Sequence, residues 1–212
     1  MNREPNRLRL AVLISGSGRT LQNFIELAAS GELPVDIVLV VSSKPDVKGL
    51  DIARAGGIRT EVIPRKEMSQ DAFDAALTTI IDSATPDLIC LAGFLSMWTI
   101  PPQYANRAMN IHPALLPKFG GQGMYGHHVH EAVLAAGETE SGCTVHFADN
   151  EYDAGPIILQ RTAPVLPNDT PDTLAARVFE QECIAYPEAI RLFAQGRLHV
   201  QDGRVVIADA KN

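Results

Sequence analysis

The first apolar run and the glycines that follow it decide the fold. Residues 8–18 read LRLAVLISGSG, a run rich in Leu and Val that ends in a glycine turn. Such a run is typical of a strand that is buried on both faces. Residues 20–29 then place apolar side chains at helical spacing. Strand, glycine turn and helix in this order are typical of a Rossmann-like sheet.

The rest of the chain continues this alternation of strands and helices. Further buried strands are predicted at residues 35–41, 61–63 and 88–92, and helices at residues 70–84, 129–136 and 171–194. The last strands are predicted at residues 144–148 and 157–165, and Asp202 with Gly203 predicts a hairpin turn near the end.

This order of elements predicts an α/β fold. We expect a single Rossmann-like domain over residues 1–212, with a mainly parallel twisted sheet flanked by helices and with a C-terminal helix and hairpin. Residues 1–7 and 208–212 are expected to form loose tails.

Composition excludes several classes of protein. The 212 residues are 46% hydrophobic and 20% charged, which is incompatible with a disordered or fibrous chain. A net charge of -7 disfavours binding of nucleic acid through a broad basic face. The three cysteines are widely spaced and form no CxxC motif, and no apolar run approaches the length of a membrane span. We therefore expect a cytoplasmic protein without a nucleic-acid or membrane partner.

The glycines at positions 16 and 18 form a candidate anion site. Their backbone N–H groups lie at the start of a predicted helix, where the helix dipole favours a phosphate, and Arg19 would add a cation. A tight turn between a strand and a helix also needs glycine, so both interpretations stand. The loop is not a Walker A loop, and Leu21 replaces the third glycine of the dinucleotide fingerprint.

Asn110 and His112 are candidate catalytic residues. They lie two apart on a predicted strand and so project to the same side. An amide beside an imidazole suits stabilisation of an oxyanion, although a lone histidine is more often structural. Asp153, at the end of an acidic turn, is the carboxylate best placed to orient His112 and raise its pKa. The alternative for this turn, residues 149–153, is a solvated loop.

Histidines and cysteines elsewhere give weaker signals. Residues 120–130 form a long glycine-rich loop that ends in His127, His128 and His130, beside Glu131. The spacing is not HExxH and no second ligand cluster is evident, so we expect no metal. Each cysteine lies in an apolar pattern, which disfavours a cysteine nucleophile.

Four motifs resemble those of the 10-formyltetrahydrofolate-dependent formyltransferases. They are SGSGRTLQ at residues 15–22, AGF at 92–94, NIHPALLP at 110–117 and DAGP at 153–156. The glycine loop narrows the resemblance, which covers about residues 8–200, to the phosphoribosylglycinamide formyltransferases. This resemblance implies transfer of the formyl group of 10-formyltetrahydrofolate, as cosubstrate, to the amine of 5-phosphoribosylglycinamide in purine (IMP) biosynthesis. It implies neither a metal nor a covalent enzyme intermediate.

The resemblance also implies roles for individual residues. The catalytic residues would be Asn110, His112 and Asp153, with His146 in a supporting role. The nucleotide's phosphate and ribose would bind to Gly18, Arg19, Thr20, Leu21, Gln22, Phe179 and Glu182. The folate would bind to Leu95, Ser96, Met97, Trp98, Asn110, Asp149, Asn150, Glu151, Tyr152 and Asp153. This chain departs from the family pattern at Arg19-Thr20, in its longer loop at residues 120–130, and at Gln70, where an arginine is expected.

Other functions remain as alternatives. A formyltetrahydrofolate hydrolase is expected to carry an N-terminal regulatory domain and a methionyl-tRNA formyltransferase a C-terminal RNA-binding domain, for which 212 residues leave no room. A folate- or nucleotide-binding protein without activity would not need an acid–base trio. The alternative of a nicotinamide reductase is supported only by the first glycine turn. The protein is expected to be a monomer or a homodimer.

Overall fold

A computed structural model describes residues 7–209 of the protein. The chain forms two compact units, which meet in sequence between Met109 and Asn110. The predicted single domain over residues 1–212 stays a prediction. Most of the predicted tails lie outside the described residues. Of the tail residues that the structure describes, Arg7 donates a hydrogen bond to Asp36 at 2.7 Å. The N–H of Ala208 donates to the carbonyl of Arg197 at 2.8 Å.

The first unit is built on parallel strands. They are β1 (Leu8–Ile14), β2 (Val35–Ser42), β3 (Thr60–Val62) and β4 (Leu88–Leu91), in the spatial order β3-β2-β1-β4. At the centre, Val12 pairs with Val40 on one side and Cys90 on the other. Residues 10–14 of β1 are fully buried, as the unbroken apolar run predicts.

Three helices connect these strands. They are α1 (Arg19–Ser30), α2 (Lys48–Ala55) and α3 (Gln70–Ala84), with short 3-10 turns at Arg65–Glu67 and Pro102–Tyr104. Helix α1 buries Leu21 and Phe24 completely and ends at Gly31, which adopts a left-handed conformation. Ser69 caps the N-terminus of helix α3, and its hydroxyl accepts a hydrogen bond from the N–H of Ala72.

The second unit combines strands with two helices and a hairpin. Strand β5 (Ala108–His112) crosses from the first unit and is followed in spatial order by β6 (Glu140–Phe147) and β7 (Ile157–Pro164). Strands β6 and β7 are antiparallel. The helices are α4 (His127–Ala135) and α5 (Pro171–Ala194), and the hairpin pairs β8 (Leu198–Gln201) with β9 (Arg204–Ile207).

The predicted α/β fold is confirmed, including the mainly parallel sheet, the long C-terminal helix and the hairpin. The start of β6 is wrong by four residues, since the strand begins at Glu140 instead of residue 144. Gly142 lies inside this strand, and glycine is needed there because a Cβ would come within 2.0 Å of the carbonyl oxygen of Arg161. Over residues 7–209, the helices lack the combination of length and apolar character that a membrane crossing requires.

Candidate active site

Strand β5 carries Asn110 and His112 at its carboxyl end. The buried Ile111 separates them, so the two side chains project to the same side, as the spacing predicts. His112 is only 3% exposed. The chain leaves the strand at Pro113, which places both polar side chains where regular pairing ends.

Asp153 lies against both of these side chains. Its Oδ1 accepts a hydrogen bond from Asn110 Nδ2 at 3.4 Å, and its Oδ2 lies 3.4 Å from His112 Nδ1. The N–H of Gly121 donates to Oδ2 at 3.0 Å. Asp153 adopts a left-handed conformation with φ of 56°, which aspartate tolerates better than most residues. The three predicted catalytic residues are therefore brought together.

His146 extends this cluster. Its Nδ1 lies 2.9 Å from the carbonyl oxygen of Phe147, so this nitrogen carries a proton and donates it. In the neutral ring Nε2 is then the acceptor, and Asn110 Nδ2 donates to it at 3.2 Å. The same Nε2 lies 3.7 Å from Asp153 Oδ1. His146, which is 2% exposed, thereby fixes which way the Asn110 amide points.

The carbonyl of Phe119 determines the tautomer of His112. His112 Nε2 lies 2.7 Å from this oxygen and donates its proton to it. In the neutral ring Nδ1 is left with a lone pair that faces the carboxylate of Asp153. This arrangement is unfavourable until Nδ1 is protonated, so Asp153 favours the imidazolium.

The net pKa shift of His112 corrects the expectation from sequence. Burial disfavours the charged ring and lowers the pKa of His112 below its ordinary value. Asp153 and the Phe119 carbonyl raise this pKa, as expected of a carboxylate partner, but they do not offset the burial. The ring is therefore mostly neutral near pH 7.

Asp153 remains ionised. Burial alone raises the pKa of Asp153, but its interactions with His146 and His112 and the N–H of Gly121 together lower this pKa below its ordinary value. The cluster thus contains a carboxylate, two buried imidazoles and an amide.

Close backbone packing holds the segments around Asp153. A Cβ on Gly155 would lie 1.9 Å from the carbonyl oxygen of Phe147. A Cβ on Gly120 would lie 2.5 Å from Leu116 Cδ2 and 3.3 Å from Asp153 Cβ. Only glycine fits at these two positions without displacement of a neighbour. Phe119, just before Gly120, adopts φ of 57°, an unusual conformation for a bulky residue.

The predicted phosphate loop leads into the N-terminus of helix α1 in the first unit. Gly18 has φ of 74°, and a Cβ there would come within 2.5 Å of Gly49 Cα. The N–H of Gln22 donates to the carbonyl of Gly18 at 2.9 Å, which is the first i to i−4 hydrogen bond of the helix. The N–H groups of residues 19–21 come before it in the chain. Leu21 is fully buried and presents only its backbone, whereas Gln22 Nε2 donates to Glu26 at 2.6 Å. Arg19 is exposed and Thr20 half-buried.

The predicted folate segment, residues 95–98, lies in the same unit. Leu95 is 48% exposed, and Ser96 and Met97 are half-buried. Trp98 is only 2% exposed and donates its Nε1–H to Thr78 at 3.2 Å, so its ring belongs to the core. Gln70, which replaces the expected arginine, donates to the carbonyl of Met97 at 3.1 Å.

The remaining predicted residues lie in the second unit. Asp149, Asn150, Glu151 and Tyr152 are all exposed in the turn before Asp153. This turn is ordered by a hydrogen bond of 3.0 Å from the N–H of Glu151 to Asp149 Oδ1. Phe179 and Glu182 are half-buried on helix α5. Burial, and secondly the nearby charge of Glu182, raise the pKa of the Cys143 thiol to about 12.

Comparison with known proteins assigns the chain to a family. Residues 8–190 match the family described as formyl transferase. The chain belongs to the formyl transferase family. This match includes every residue of the cluster around Asp153.

Individual relatives of this formyl transferase are similar over most of its length. The phosphoribosylglycinamide formyltransferase of Escherichia coli (strain K12) is 39% identical over 92% of this chain and 91% of its own length. The trifunctional purine biosynthetic protein adenosine-3 of Drosophila melanogaster is 44% identical over 90% of this chain. The chain spans only 14% of the length of that fly protein. A crystal structure of glycinamide ribonucleotide transformylase 1 from Symbiobacterium toebii is 40% identical, with a TM-score of 0.89 and 99% of each chain covered.

The three histidines at the start of α4 in this formyl transferase have separate surroundings. His127 lies 3.3 Å from Asp172, and His128 lies 3.4 Å from Glu131. His130 is buried, and this burial, with His127 and His112 nearby, lowers its pKa to about 4. Within residues 7–209, no group of three or more His, Cys, Asp or Glu side chains is arranged to hold a metal ion. Cys90 and Cys143 are buried, and Cys183 is half-buried.

Sequence reasoning missed Phe119 as a residue of the formyl transferase site. Its contribution is a backbone carbonyl, which no residue type reveals. The only signal in the sequence is the glycine pair that follows it at positions 120 and 121, which marks an irregular backbone.

Proposed function

We propose that this formyl transferase moves the formyl group of 10-formyltetrahydrofolate to the amine of 5-phosphoribosylglycinamide, a step of purine (IMP) biosynthesis. The observation that carries this proposal is the position of Asp153, 3.4 Å from both Asn110 Nδ2 and His112 Nδ1. An ionised carboxylate between an amide and an imidazole suits acyl transfer through a tetrahedral intermediate. The names of the relatives from Escherichia coli and Symbiobacterium toebii support the same substrates.

The proposed reaction is a direct displacement. The amine nitrogen of the nucleotide attacks the formyl carbon, and the carbonyl electron pair moves to oxygen. The bond from the formyl carbon to N10 of the folate then breaks, and N10 takes the electron pair and the proton that the amine loses. The products are the formylated nucleotide and tetrahydrofolate, so the step needs no oxidant, metal or enzyme-bound intermediate.

Asn110 and His112 are proposed to stabilise the negative oxygen of the intermediate. The amide of Asn110 donates to this oxygen, and the imidazolium of His112 supplies a second, charged donor. Asp153 stabilises the imidazolium and, through water, assists transfer of the proton from the amine to N10. His146 supports them by holding the Asn110 amide.

The substrate-binding residues are part of this proposal. The N-terminus of α1 would bind the phosphate through backbone N–H groups, which suits the burial of Leu21. For the nucleotide's phosphate and ribose we propose Gly18, Arg19, Thr20, Leu21, Gln22, Phe179 and Glu182. For the folate we propose Leu95, Ser96, Met97, the backbone of Trp98, Asn110, Asp149, Asn150, Glu151, Tyr152 and Asp153.

We also propose a cytoplasmic protein that binds these small molecules and neither nucleic acid nor a membrane. The net charge of -7 and the wide spacing of the three cysteines, which form no CxxC motif, support this proposal. The protein would act as a monomer or a homodimer.

A steady-state assay tests the proposed function. Loss of the formyl group from 10-formyltetrahydrofolate is followed with and without 5-phosphoribosylglycinamide. Turnover that depends on the nucleotide supports the transferase, and folate breakdown without it would instead identify a hydrolase. Tight binding of either compound without turnover would identify a binding protein. His112→Ala should abolish turnover while the protein stays folded, and wild-type rates in that variant would refute the mechanism.

A further inference from the structure

The hydroxyl of Ser15 joins two segments of the first unit that the proposed function uses separately. Ser15 follows β1 at the start of the phosphate loop and is 3% exposed. Its Oγ accepts a hydrogen bond of 2.9 Å from the N–H of Leu95, the first residue of the proposed folate segment. Its own N–H donates to the carbonyl of Gly93 at 3.1 Å. Ser15 thus contacts the chain on both sides of Phe94.

This contact lies where regular pairing between β1 and β4 ends. The N–H of Ala92 still donates to the carbonyl of Leu13 at 2.8 Å, as in a parallel ladder. Gly93 then adopts φ of 71°, and the chain turns away from the strand direction. Beyond this turn the N–H of Leu95 donates to the side-chain hydroxyl of Ser15 and not to a backbone carbonyl of β1.

The other side of the Ser15 hydroxyl is also occupied. Ser43 Oγ, after the end of β2, lies 2.6 Å from Ser15 Oγ, and both hydroxyls are buried. A hydroxyl has one proton and two lone pairs, so Ser15 satisfies the contacts to Leu95 and Ser43 at once. These two partners hold the hydroxyl in a single position.

The phosphate loop beyond Ser15 is held equally firmly. The N–H of Gly49 donates to the carbonyl of Gly16 at 3.1 Å, and Gly18 packs directly on Gly49. The loop therefore has little freedom to move with Leu95 if the Ser15 contact is lost.

We propose that Ser15 is a positioning residue that sets the backbone of residues 95–98 for the folate relative to the phosphate loop. This inference rests on the proposed function. Without the hydroxyl, the Leu95 N–H loses its buried acceptor and the turn at Gly93 relaxes toward another arrangement. The loop retains its contacts with Gly49, so the effect falls mainly on the folate.

Ser15→Ala tests this role. We expect the KM for 10-formyltetrahydrofolate to rise about tenfold, as for loss of one buried hydrogen bond, and the KM for 5-phosphoribosylglycinamide to change less than about twofold. Ser15→Cys keeps the side-chain size but accepts hydrogen bonds weakly, so it should shift the folate KM in the same direction. It also keeps the test valid if the alanine variant does not fold.

Ser42→Ala is the matched control. Ser42 is as buried as Ser15, but its hydroxyl bonds within its own turn, donating to the carbonyl of Lys44 at 2.6 Å and accepting from the Lys44 N–H at 3.1 Å. It should lose a similar amount of thermal stability and keep the wild-type folate KM. An unchanged folate KM in both Ser15 variants, or an equal rise in Ser42→Ala, would overturn the proposal.

A direct titration separates this inference from the proposed function. A stable deaza analogue of 10-formyltetrahydrofolate is titrated without the nucleotide into wild type, Ser15→Ala and Ser42→Ala. Weaker binding to Ser15→Ala alone supports the role of Ser15, whatever the formyl acceptor proves to be. Equal binding to all three proteins refutes it. A wild-type protein that binds the analogue but transfers no formyl group would refute the proposed function instead.

Discussion

His112 donates its Nε2 proton to the backbone carbonyl of Phe119 at 2.7 Å. This hydrogen bond leaves Nδ1 opposite the carboxylate of Asp153, at 3.4 Å from its Oδ2. Both ring nitrogens of the imidazolium, the form that would supply a proton to the oxyanion, therefore already face an acceptor. Formyl transfer by the proposed route requires the intermediate's oxygen to replace one of these partners.

This relationship predicts the tautomer and the titration of His112. Near pH 7 the ring should be neutral with its proton on Nε2, and the pKa should lie below 6.5 because burial outweighs the effect of Asp153. The nitrogen shifts of the imidazole, measured by NMR across a pH titration, report both properties. A proton on Nδ1 at neutral pH, or a pKa above 6.5, would contradict the geometry.

Asp153→Asn should lower the pKa of His112 further. The carboxylate raises this pKa by stabilising the imidazolium, so its removal moves the titration to lower pH. If the imidazolium is the active form, the fall in kcat/KM with rising pH should also begin at lower pH, and kcat at pH 7 should fall at least tenfold.

Asp149→Asn provides the comparison for this variant. Asp149 belongs to the same turn, but its Oδ1 accepts from the N–H of Glu151, and it is exposed. Its replacement should leave the titration of His112 unchanged. If the NMR titration of His112 is the same in Asp153→Asn as in the wild type, Asp153 has only a structural role.

The sequence predicts which residues form the catalytic cluster better than it predicts the protonation of His112 within it. Asn110 and His112 are found together because alternate residues of a strand share a face, and Asp153 because a fixed Ala-Gly-Pro turn follows it. The pKa of His112 was expected to rise, since the sequence reveals the carboxylate but not how deeply the ring is buried. The sequence also does not reveal the Phe119 carbonyl, because a backbone acceptor has no side-chain signature.

The fold, too, was predicted from side-chain patterns and missed where the backbone alone decides. The unbroken apolar run of β1 predicts a central parallel strand, because only such a strand is buried on both faces. The start of β6 was missed because Gly142 reads as a turn residue in sequence. In the structure it lies in a strand where the partner backbone leaves no space for a Cβ. The link from Ser15 to Leu95 spans 80 positions and was not predicted.

Asn110 and His146 should act as a unit. Asn110→Ala should lower kcat by about 10² to 10³, as for loss of an oxyanion donor, and His146→Ala by about tenfold through misorientation of the amide. The double variant should lose less than the product of the two single effects, since His146 acts in part through its hydrogen bond with Asn110 at 3.2 Å. Steady-state kinetics of the four proteins measures this coupling.

His128→Ala is the control for this cycle. His128 is exposed and contacts Glu131 on its own helix, so its effect should simply add to that of Asn110→Ala. Full additivity between His146→Ala and Asn110→Ala would show that the hydrogen bond between them does not matter for turnover.

Asp169 should make the stability of the second unit depend on pH. Its carboxylate accepts hydrogen bonds from Arg177 at 2.7 Å and from the N–H of Leu166 at 2.7 Å, and these interactions hold its pKa far below the ordinary value. A carboxyl with a lowered folded-state pKa stabilises the fold above its unfolded pKa of about 4, and this stability is lost as the pH falls toward the folded pKa. Asp169→Asn should therefore cost about 1–2 kcal/mol at pH 7 and progressively less below pH 4.

Denaturant unfolding at several pH values measures this difference. Asp172→Asn serves as the comparison, because Asp172 is exposed in the first turn of α5, the helix that also carries Arg177. That variant should lose less than about 0.5 kcal/mol at any pH. A constant loss for Asp169→Asn down to pH 2 would show that its charge is not responsible.

Gly155→Ala should destabilise the protein far more than Gly16→Ala. A Cβ at position 155 would meet the carbonyl oxygen of Phe147 at 1.9 Å, and because this atom belongs to the backbone of β6, relief requires the strand or the turn to move. A Cβ at position 16 would have no atom within 4 Å. We expect a loss of about 3 kcal/mol or more for Gly155→Ala and a change within about 1 kcal/mol for Gly16→Ala, measured by thermal or denaturant unfolding. Because Asp153 lies two residues before Gly155, any Gly155→Ala protein that still folds should also have a reduced kcat. Equal stability of the two variants would mean that the turn after Asp153 adapts freely, and that its backbone does not hold the carboxylate against Asn110 and His112.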